Sequence, residues 1–386
     1  MTTPAAAYSA LALAAAVALA AAVALAAPAA PAAAQETAAG EPPRPPEHVF
    51  GERIEVHRLT VDVRVVDGRG EAVPGLRAED FRVVLRGRAV EVEAADWRPA
   101  RALPPAPGRG LDTPAEADGP PAAGATPAAP VPTPGGLVVI FIQSADFYME
   151  HAAVGHMRML PQLERLVADL APGEQAAVLR YGSRLELEMD FTADRQRLRT
   201  AVRHALFGRR EPRPAVDPRP SLAAHLDAEA ARRAATPARG LAVAGEALAA
   251  IPGAKTMVYV GWGLLDAHRR TGVGGRGNDG SDALAALGAA RTSVFVLDIT
   301  SADWHLLEGG LRYMALVTGG TYASTFHTPG GARRRLERAL GGSYTLVLRA
   351  PRLGPGRHPL KVRLAPAADL RGRLVLAPTS LYVAAE

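Results

Sequence analysis

Short apolar runs separated by amphipathic stretches dominate the middle of the chain. The runs at 137–142, 255–261 and 293–298 have the length of strands and are almost continuously apolar, which is typical of parallel strands covered by helices on both faces. Between them, the stretch 151–170 repeats apolar residues at helical spacing. Helices are also predicted over 192–207, with Thr192 as the cap, and over 303–318. The alternation of strand and helix predicts a doubly wound, mostly parallel α/β sheet over 137–341.

Strict alternation of apolar and polar residues marks the two flanking segments. Leu59, Val61, Val63 and Val65 alternate with polar residues, a pattern that predicts a half-buried strand. Further strands are predicted up to residue 98 and again after residue 342. We expect an accessory N-terminal β module at 57–98, with which C-terminal β strands at 342–386 pair to complete one sandwich.

Segments of low complexity surround these regions. Residues 1–34 are uncharged, rich in Ala, Leu and Val, and end in three alanines. They predict a secretory signal peptide, although the usual basic residue is missing. An uncleaved membrane anchor is the second alternative, because the Ala-rich run from Leu11 to Ala27 is slightly short for a membrane span. The linker at 35–56 and the Pro/Ala-rich connector at 99–136 have too few large apolar residues to fold, and the connector is predicted to be disordered.

Composition narrows the possible classes of function. The chain has 386 residues, a net charge of +5 and no cysteine, so disulfides, thiolate metal sites and cysteine nucleophiles are excluded. Its arginines are scattered among acids without interleaved aromatic residues, which argues against nucleic-acid binding. We expect an exported protein, secreted or in the periplasm or cell envelope, with no membrane span once the signal is removed.

None of the predicted strands is followed by a known catalytic motif. The sequence has no G-x-S-x-G elbow, no Walker A loop and no H-E-x-x-H pair. His151 and His156 are five residues apart and are predicted to lie on the surface. Asp298 and Asp303 are predicted either to face a ligand at the binding edge of the sheet or to cap the next helix. These observations favour a protein without enzymatic activity, with an uncharacterised hydrolase as an alternative.

A set of short segments occurs in a characteristic order from residue 58 to the C-terminus. The segments are 61–66, Gly75-Leu76, Asp80-Phe81, 138–142, Asp190-Phe191-Thr192, 255–260, 294–298 and Thr318-Gly319-Gly320. Their order resembles the von Willebrand factor A-like domains, and in particular the exported bacterial VWFA-related proteins, a resemblance that implies the doubly wound fold.

Metal-binding members of this family hold a cation with a D-x-S-x-S motif after the first strand, a threonine from a later loop and an aspartate after the fourth strand. Here the five motif positions are Gln143, Ser144, Ala145, Asp146 and Phe147. Trp262 occupies the place of the later aspartate, and only Ser221 and Thr236 are available as the loop hydroxyl. Without the two carboxylates a divalent cation loses most of its attraction, so we predict a degenerate site with no metal and no cofactor.

Two features of this site remain open. Asp146 either caps the next helix or forms a shifted, weaker cation site with Gln143 and Ser144. Trp262 and Phe147 either anchor a partner or fill the vacated pocket. The function we expect is an exported module that binds an unknown protein partner through the end of the sheet. The residues of this surface are Gln143, Ser144, Ala145, Asp146, Phe147 and Trp262. The alternative is a structural envelope or secreted protein with a vestigial site.

Overall fold

The structure, a computed structural model, describes residues 56–99, 136–144, 150–208, 220–264, 279–367 and 370–383. The predicted signal peptide and almost all of the two predicted linkers lie outside these residues. Within the described ranges, no helix combines the length and the hydropathy needed to cross a bilayer.

Strands and helices follow one another in the described residues as follows. The strands are β1 (Val56–Val66), β2 (Phe81–Leu85), β3 (Arg88–Pro99), β4 (Leu137–Gln143), β5 (Gln175–Tyr181), β6 (Leu185–Thr192), β7 (Lys255–Gly261), β8 (Thr292–Asp298), β9 (Tyr322–Ser324), β10 (Gly342–Pro351), β11 (Gly356–Leu364), β12 (Leu374–Leu376) and β13 (Ser380–Val383). The helices are α1 (Glu150–Ala168), α2 (Arg195–Phe207), α3 (Ala228–Arg233), α4 (Pro237–Ala249), α5 (Asp279–Ala289), α6 (Glu308–Val317) and α7 (Pro329–Ala339).

Strands β4 to β9 form one sheet in the order β6-β5-β4-β7-β8-β9. Neighbouring strands are parallel except for β5 and β6, which are antiparallel. This is the 3-2-1-4-5-6 order of doubly wound sheets, in which the strand order reverses between β4 and β7 and ligands bind beyond the carboxyl ends of the strands at that point. The predicted mixed α/β fold is confirmed.

Alternate residues of β4 face two separate hydrophobic cores. Val139 and Phe141 pack into the core that α3, α4, α5 and α6 cover, whereas Ile140 and Ile142 face the core under α1, α2 and α7. All four side chains are fully buried. A strand covered on both sides in this way must be apolar at every position, which explains the continuous run in the sequence.

Two helices begin later than the sequence predicts. Asp194, not Thr192, caps α2 by accepting hydrogen bonds from the backbone of Gln196 and Arg197, and Thr192 is the last residue of β6. Similarly, the helix expected from residue 303 starts only at Glu308. In both places the predicted first residue of the helix belongs to the preceding strand or loop. The sequence does not distinguish the two cases, because helix caps and loops favour the same polar residues.

The remaining strands form an antiparallel sheet of seven in the order β12-β1-β10-β3-β2-β11-β13. Strand β10, from the C-terminal segment, lies between β1 and β3 of the N-terminal segment. The expected pairing of the C-terminal strands with the N-terminal module is therefore present, but in the described residues the strands make one continuous sheet and not a sandwich. Alternate apolar residues of the strands, such as Val63, Phe81 and Leu346, fill its concave side.

The two edge strands of this sheet are neighbours in sequence. Only residues 377–379 separate β12 from β13, and a connection of that length spans at most about 14 Å. The sheet must therefore curl until its edges approach each other. The connection is also held on the α/β part, because the backbone N–H of Thr379 donates to the carbonyl oxygen of Val317 at 3.0 Å.

Polar contacts join the curled sheet to the base of the α/β sheet. The Nε and Nη2 atoms of Arg291 each donate to a carboxylate oxygen of Asp62 at 2.8 Å. Beside them, Arg64 donates to the hydroxyl of Thr256 at 2.7 Å, and its guanidinium lies 5.0 Å from the ring centroid of Phe295. Burial lowers the pKa of Arg64 to about 10.

Lys255 begins β7 and is 4% exposed. Its ammonium donates to the carbonyl oxygens of Ile251 and Ala290, which follow the last turns of α4 and α5. Helix C-termini attract cations because their final carbonyls lack partners. Burial, with a smaller contribution from Arg291, lowers the pKa of Lys255 to about 8.

Candidate functional site

We use the term crest for the carboxyl ends of β4, β7 and β8 with the described residues that follow them, 143–144, 261–264 and 298–307. Of the six predicted site residues, the structure brings Gln143, Ser144 and Trp262 together at this crest. Ala145, Asp146 and Phe147 lie outside the described residues. The two readings of Asp146, helix cap or shifted cation ligand, therefore stay predictions.

Gln143 is the centre of the crest. Its side-chain oxygen Oε1 accepts hydrogen bonds from the backbone N–H groups of Trp262 at 3.0 Å and Gly263 at 3.3 Å. A Cβ atom at position 261 would lie 2.5 Å from this oxygen, so glycine is required there for the loop to approach. The amide thus ties the end of β4 to the loop after β7.

A buried tyrosine completes this network. The hydroxyl of Tyr259 lies 2.9 Å from Oε1 of Gln143 and 2.7 Å from the carbonyl oxygen of Gly263. Its single proton is donated to one of these acceptors at a time. Burial, followed by the negative charge of Asp298, raises the pKa of Tyr259 well above its ordinary value, so the hydroxyl stays protonated and remains a donor.

Ser144 is also used internally. Its backbone N–H and its hydroxyl both donate to the carbonyl oxygen of Tyr181, at 2.7 and 3.2 Å. The residue is 6% exposed. The side chain therefore extends the β4–β5 ladder and does not point toward a ligand.

His156 corrects the expectation of a surface histidine. It is buried in α1, and its Nε2 donates to the backbone carbonyl oxygen of Gln143 at 2.9 Å. Burial lowers the pKa of its imidazole, which the hydrogen bond to Gln143 offsets in part. Helical spacing alone could not show this, because the contact depends on how α1 folds back over β4. The side chain of His151 is outside the described set.

The two described motif residues, Gln143 and Ser144, do not fit the divalent cation expected at this position in the metal-binding domains that the sequence resembles. At the first ligand position, Oε1 of Gln143 faces two backbone N–H groups and a hydroxyl, and their positive ends would repel a cation. At the second, the hydroxyl of Ser144 is engaged by a carbonyl oxygen. A hard cation requires several free oxygens, and these two are committed elsewhere.

The two loosely assigned loop hydroxyls serve as caps. Ser221 donates to Oδ2 of Asp190 at 2.7 Å, and the same carboxylate accepts from the backbone N–H of Leu222. Thr236 caps α4 and donates to Asp279 at 2.9 Å. Both side chains therefore hold the segment between β6 and β7 in place.

Trp262 is half-buried. It packs against the hydrophobic core beneath α1, and its ring centroid lies 6.1 Å from that of His156. Filling the vacated pocket and anchoring a partner both remain predictions for this residue.

A second polar cluster surrounds Asp298 at the end of β8. The carboxylate is 1% exposed, and its Oδ2 lies 2.6 Å from Nε2 of His305 and accepts a hydrogen bond from Tyr322 at 2.7 Å. Oδ1 accepts from the backbone N–H of Thr300 at 2.9 Å. Burial and the bond to Asp298 raise the pKa of Tyr322. Sequence reasoning found the aspartate but missed His305 and Tyr322, since no motif or periodicity links the three.

Large apolar side chains are exposed around the crest. Met157 and Val154 in the first turns of α1 are 67% and 52% exposed, and Trp304 and Leu306 in the loop after β8 are 68% and 59% exposed. We call these four residues the apolar rim. The sequence could have indicated Trp304 as an aromatic residue in a polar loop. It was instead predicted to lie in a helix that begins at residue 303, whereas α6 begins at Glu308.

Close backbone packing joins the two halves of the apolar rim. A Cβ atom on Gly155 of α1 would lie 2.4 Å from the carbonyl oxygen of Ile299, directly after β8. One turn of helix away, Arg158 donates to the hydroxyl of Ser301 at 2.8 Å. The helix and the loop that carry the exposed residues are therefore held against each other.

No family model matches the sequence, and no curated protein matches it. Among solved structures, the fold is similar to a von Willebrand factor type A protein from Catenulispora acidiphila, with 12% identity, a TM-score of 0.38, and coverage of 87% of this chain and 76% of that chain.

Two further solved structures come from Bacteroides. One is the conserved hypothetical protein BatB from Bacteroides thetaiotaomicron, with 12% identity and a TM-score of 0.36. The other is an aerotolerance-related membrane protein from Bacteroides fragilis NCTC 9343, with 10% identity and a TM-score of 0.35. Each covers 53% of this chain, and this chain covers 98% of each. These are likenesses of fold at low sequence identity.

Proposed function

We propose that this protein is an exported, non-enzymatic interaction module that binds a protein partner through the crest without a metal ion. The observation that carries the proposal is the apolar rim. Four large apolar side chains are more than half exposed on a helix and a loop that pack together. Exposed apolar residues grouped in this way mark interaction surfaces, and a tryptophan among them is a common interface anchor.

The hydrogen bonds of Gln143 support partner binding without a metal ion. A cation-dependent site uses a vacant coordination position to take a carboxylate from the partner. Here the neutral amide holds the loop after β7 in place through backbone hydrogen bonds. The start of the loop after β7 is therefore held in place before a partner arrives, which lowers the entropic cost of association.

The proposal is tested by binding measurements with matched variants. Partners are captured from an extract of the cell envelope, purified, and titrated against the wild type, Trp304→Ser and Leu316→Ser. Leu316 is 65% exposed, like Trp304 at 68%, but it lies at the other end of α6 from the crest. We expect Trp304→Ser to weaken binding by about tenfold or more, as for an interface anchor, and Leu316→Ser to leave it unchanged.

The alternative, a structural protein with a vestigial crest, gives a different result. A partner that binds wild type and Trp304→Ser with equal affinity would place the contact elsewhere on the molecule. Adding the chelator EDTA tests whether the crest binds its partner without a metal ion. Loss of binding in EDTA would contradict this part of the proposal.

A further inference from the structure

An arginine-lined cleft opens on the curled seven-stranded sheet. It has a volume of about 510 Å³ and lies between the end of β11 and the start of β12. Arg363, Arg371 and Arg373 line it. We call it the arginine cleft, and it belongs to a different sheet from the crest.

Positive charge in the arginine cleft is not balanced. No carboxylate is among the described residues that line it. If Asp369, which is in the same loop but outside the described residues, is counted in full, the arginines still exceed the carboxylates by two.

The loop that carries two of the arginines is anchored to the sheet. Leu370 is buried in the hydrophobic core of the seven-stranded sheet. Before it, the backbone N–H of Ala365 donates to the carbonyl oxygen of Asp80 at 2.7 Å. Arg371 directly follows the anchored leucine, so its backbone is positioned relative to Arg363 at the end of β11.

Apolar side chains line the rest of the cleft. Val362 and Val375 contribute to its wall, and Leu374 at its edge is 58% exposed. Small-molecule sites typically combine an apolar wall with a few charged groups that fix the orientation of the ligand. The lining therefore suits a molecule with an anionic head and a compact apolar group.

We propose that the arginine cleft is a binding site for a small organic phosphate. A phosphate monoester offers three oxygens and up to two negative charges, and several guanidinium groups can share them through paired hydrogen bonds. The apolar group of the ligand would contact Leu374 at the edge of the cleft. The site does not depend on the crest or on the function proposed for it.

Isothermal titration of the full chain with phenyl phosphate tests the proposal. We expect saturable binding that is tighter than binding of inorganic phosphate, and no binding of phenol, which lacks the anionic head. Replacing all three arginines, in the variant R363A/R371A/R373A, should weaken binding of phenyl phosphate by about tenfold or more, the factor that corresponds to loss of one good charged contact.

A charge-matched variant provides the control. R88A/R199A/R335A removes three exposed arginines that do not line the cleft and should bind like the wild type. If the cleft variant unfolds, R371Q/R373Q replaces it, with circular dichroism as the check on folding. Equal loss in the cleft and control variants, binding of phenol as tight as that of phenyl phosphate, or no binding to the wild type would each overturn the proposal.

Discussion

Single polar side chains determine how the crest is held. Gln143 accepts from two backbone N–H groups in a region from which water is excluded. A carboxylate at this position could also accept those hydrogen bonds, but it would bring a charge that needs a counter-ion. The neutral amide stabilises the same loop without one, which is the physical difference between this crest and a cation site.

We expect Gln143→Leu to destabilise the protein by about 1–3 kcal/mol, because the N–H groups of Trp262 and Gly263 would be left buried without an acceptor. Urea unfolding monitored by circular dichroism measures this loss. Gln196→Leu, at an exposed position of α2, is the matched control and should change stability little. If the two variants unfold at the same urea concentration, the amide does not stabilise the crest.

Lys255 makes stability depend on pH. Its pKa is lowered from 10.5 to about 8 in the folded protein, so between these values the unfolded chain binds more protons than the folded one. Stability should therefore rise as the pH increases from 8 to 9.5. Tyrosines with raised pKa values oppose this trend only above about pH 10, where the unfolded chain begins to lose their protons first.

Urea unfolding at several pH values compares Lys255→Met with Lys361→Met. Lys361 is exposed on β11, so its replacement should preserve the rise in stability between pH 8 and 9.5. Lys255→Met should reduce that rise. The same pH dependence in both variants would show that the buried ammonium is not its source.

At the scale of elements, the apolar patterns of the sequence predicted most strands and helices. The continuous apolar run of β4 could be predicted as a strand, because burial on both faces requires apolar residues at every position. The start of α6 could not be predicted in the same way, because Asp303 and the residues around it suit a loop as well as a helix cap. Contacts between distant elements, such as His156 with Gln143 or His305 with Asp298, have no local signal in the sequence.

The turn from α6 to β9 requires glycine at position 320. A Cβ atom there would lie 1.9 Å from the carbonyl oxygen of Val294 in β8. We expect Gly320→Ala to cost about 1–3 kcal/mol, because backbone must move to admit the methyl group. Gly309→Ala is the control within α6, where the added methyl group meets nothing within 4 Å. Thermal unfolding compares the two, and a Gly320→Ala melting temperature equal to that of the control would refute the steric argument.

At the scale of the whole molecule, charged contacts connect the two sheets. Asp62 in β1 accepts two hydrogen bonds from Arg291, which precedes β8, and one from Thr345 in β10. The pair lies between the hydrophobic cores, where water screens it less than at the surface. It therefore links the stability of one sheet to that of the other.

A double-mutant cycle with Asp62→Asn and Arg291→Gln measures this link. We expect a coupling energy of about 0.5–3 kcal/mol from urea unfolding, as found for residues in direct contact. The exposed pair Glu91 and Arg349, 3.8 Å apart, is the reference and should show weaker coupling, as surface ion pairs do. Equal coupling in the two cycles would mean that the Asp62–Arg291 pair is no more than a surface contact.

The position of β10 between β1 and β3 also governs the order of events during synthesis. Until residues 342–351 leave the ribosome, β1 and β3 have no partner along the edges that β10 later fills, and such edges pair readily with other chains. The α/β part, made of contiguous sequence, can form before the strands on either side of it are complete. A chaperone that shields β1 and β3 in that interval would protect the nascent protein, and chains that stop before residue 342 should aggregate.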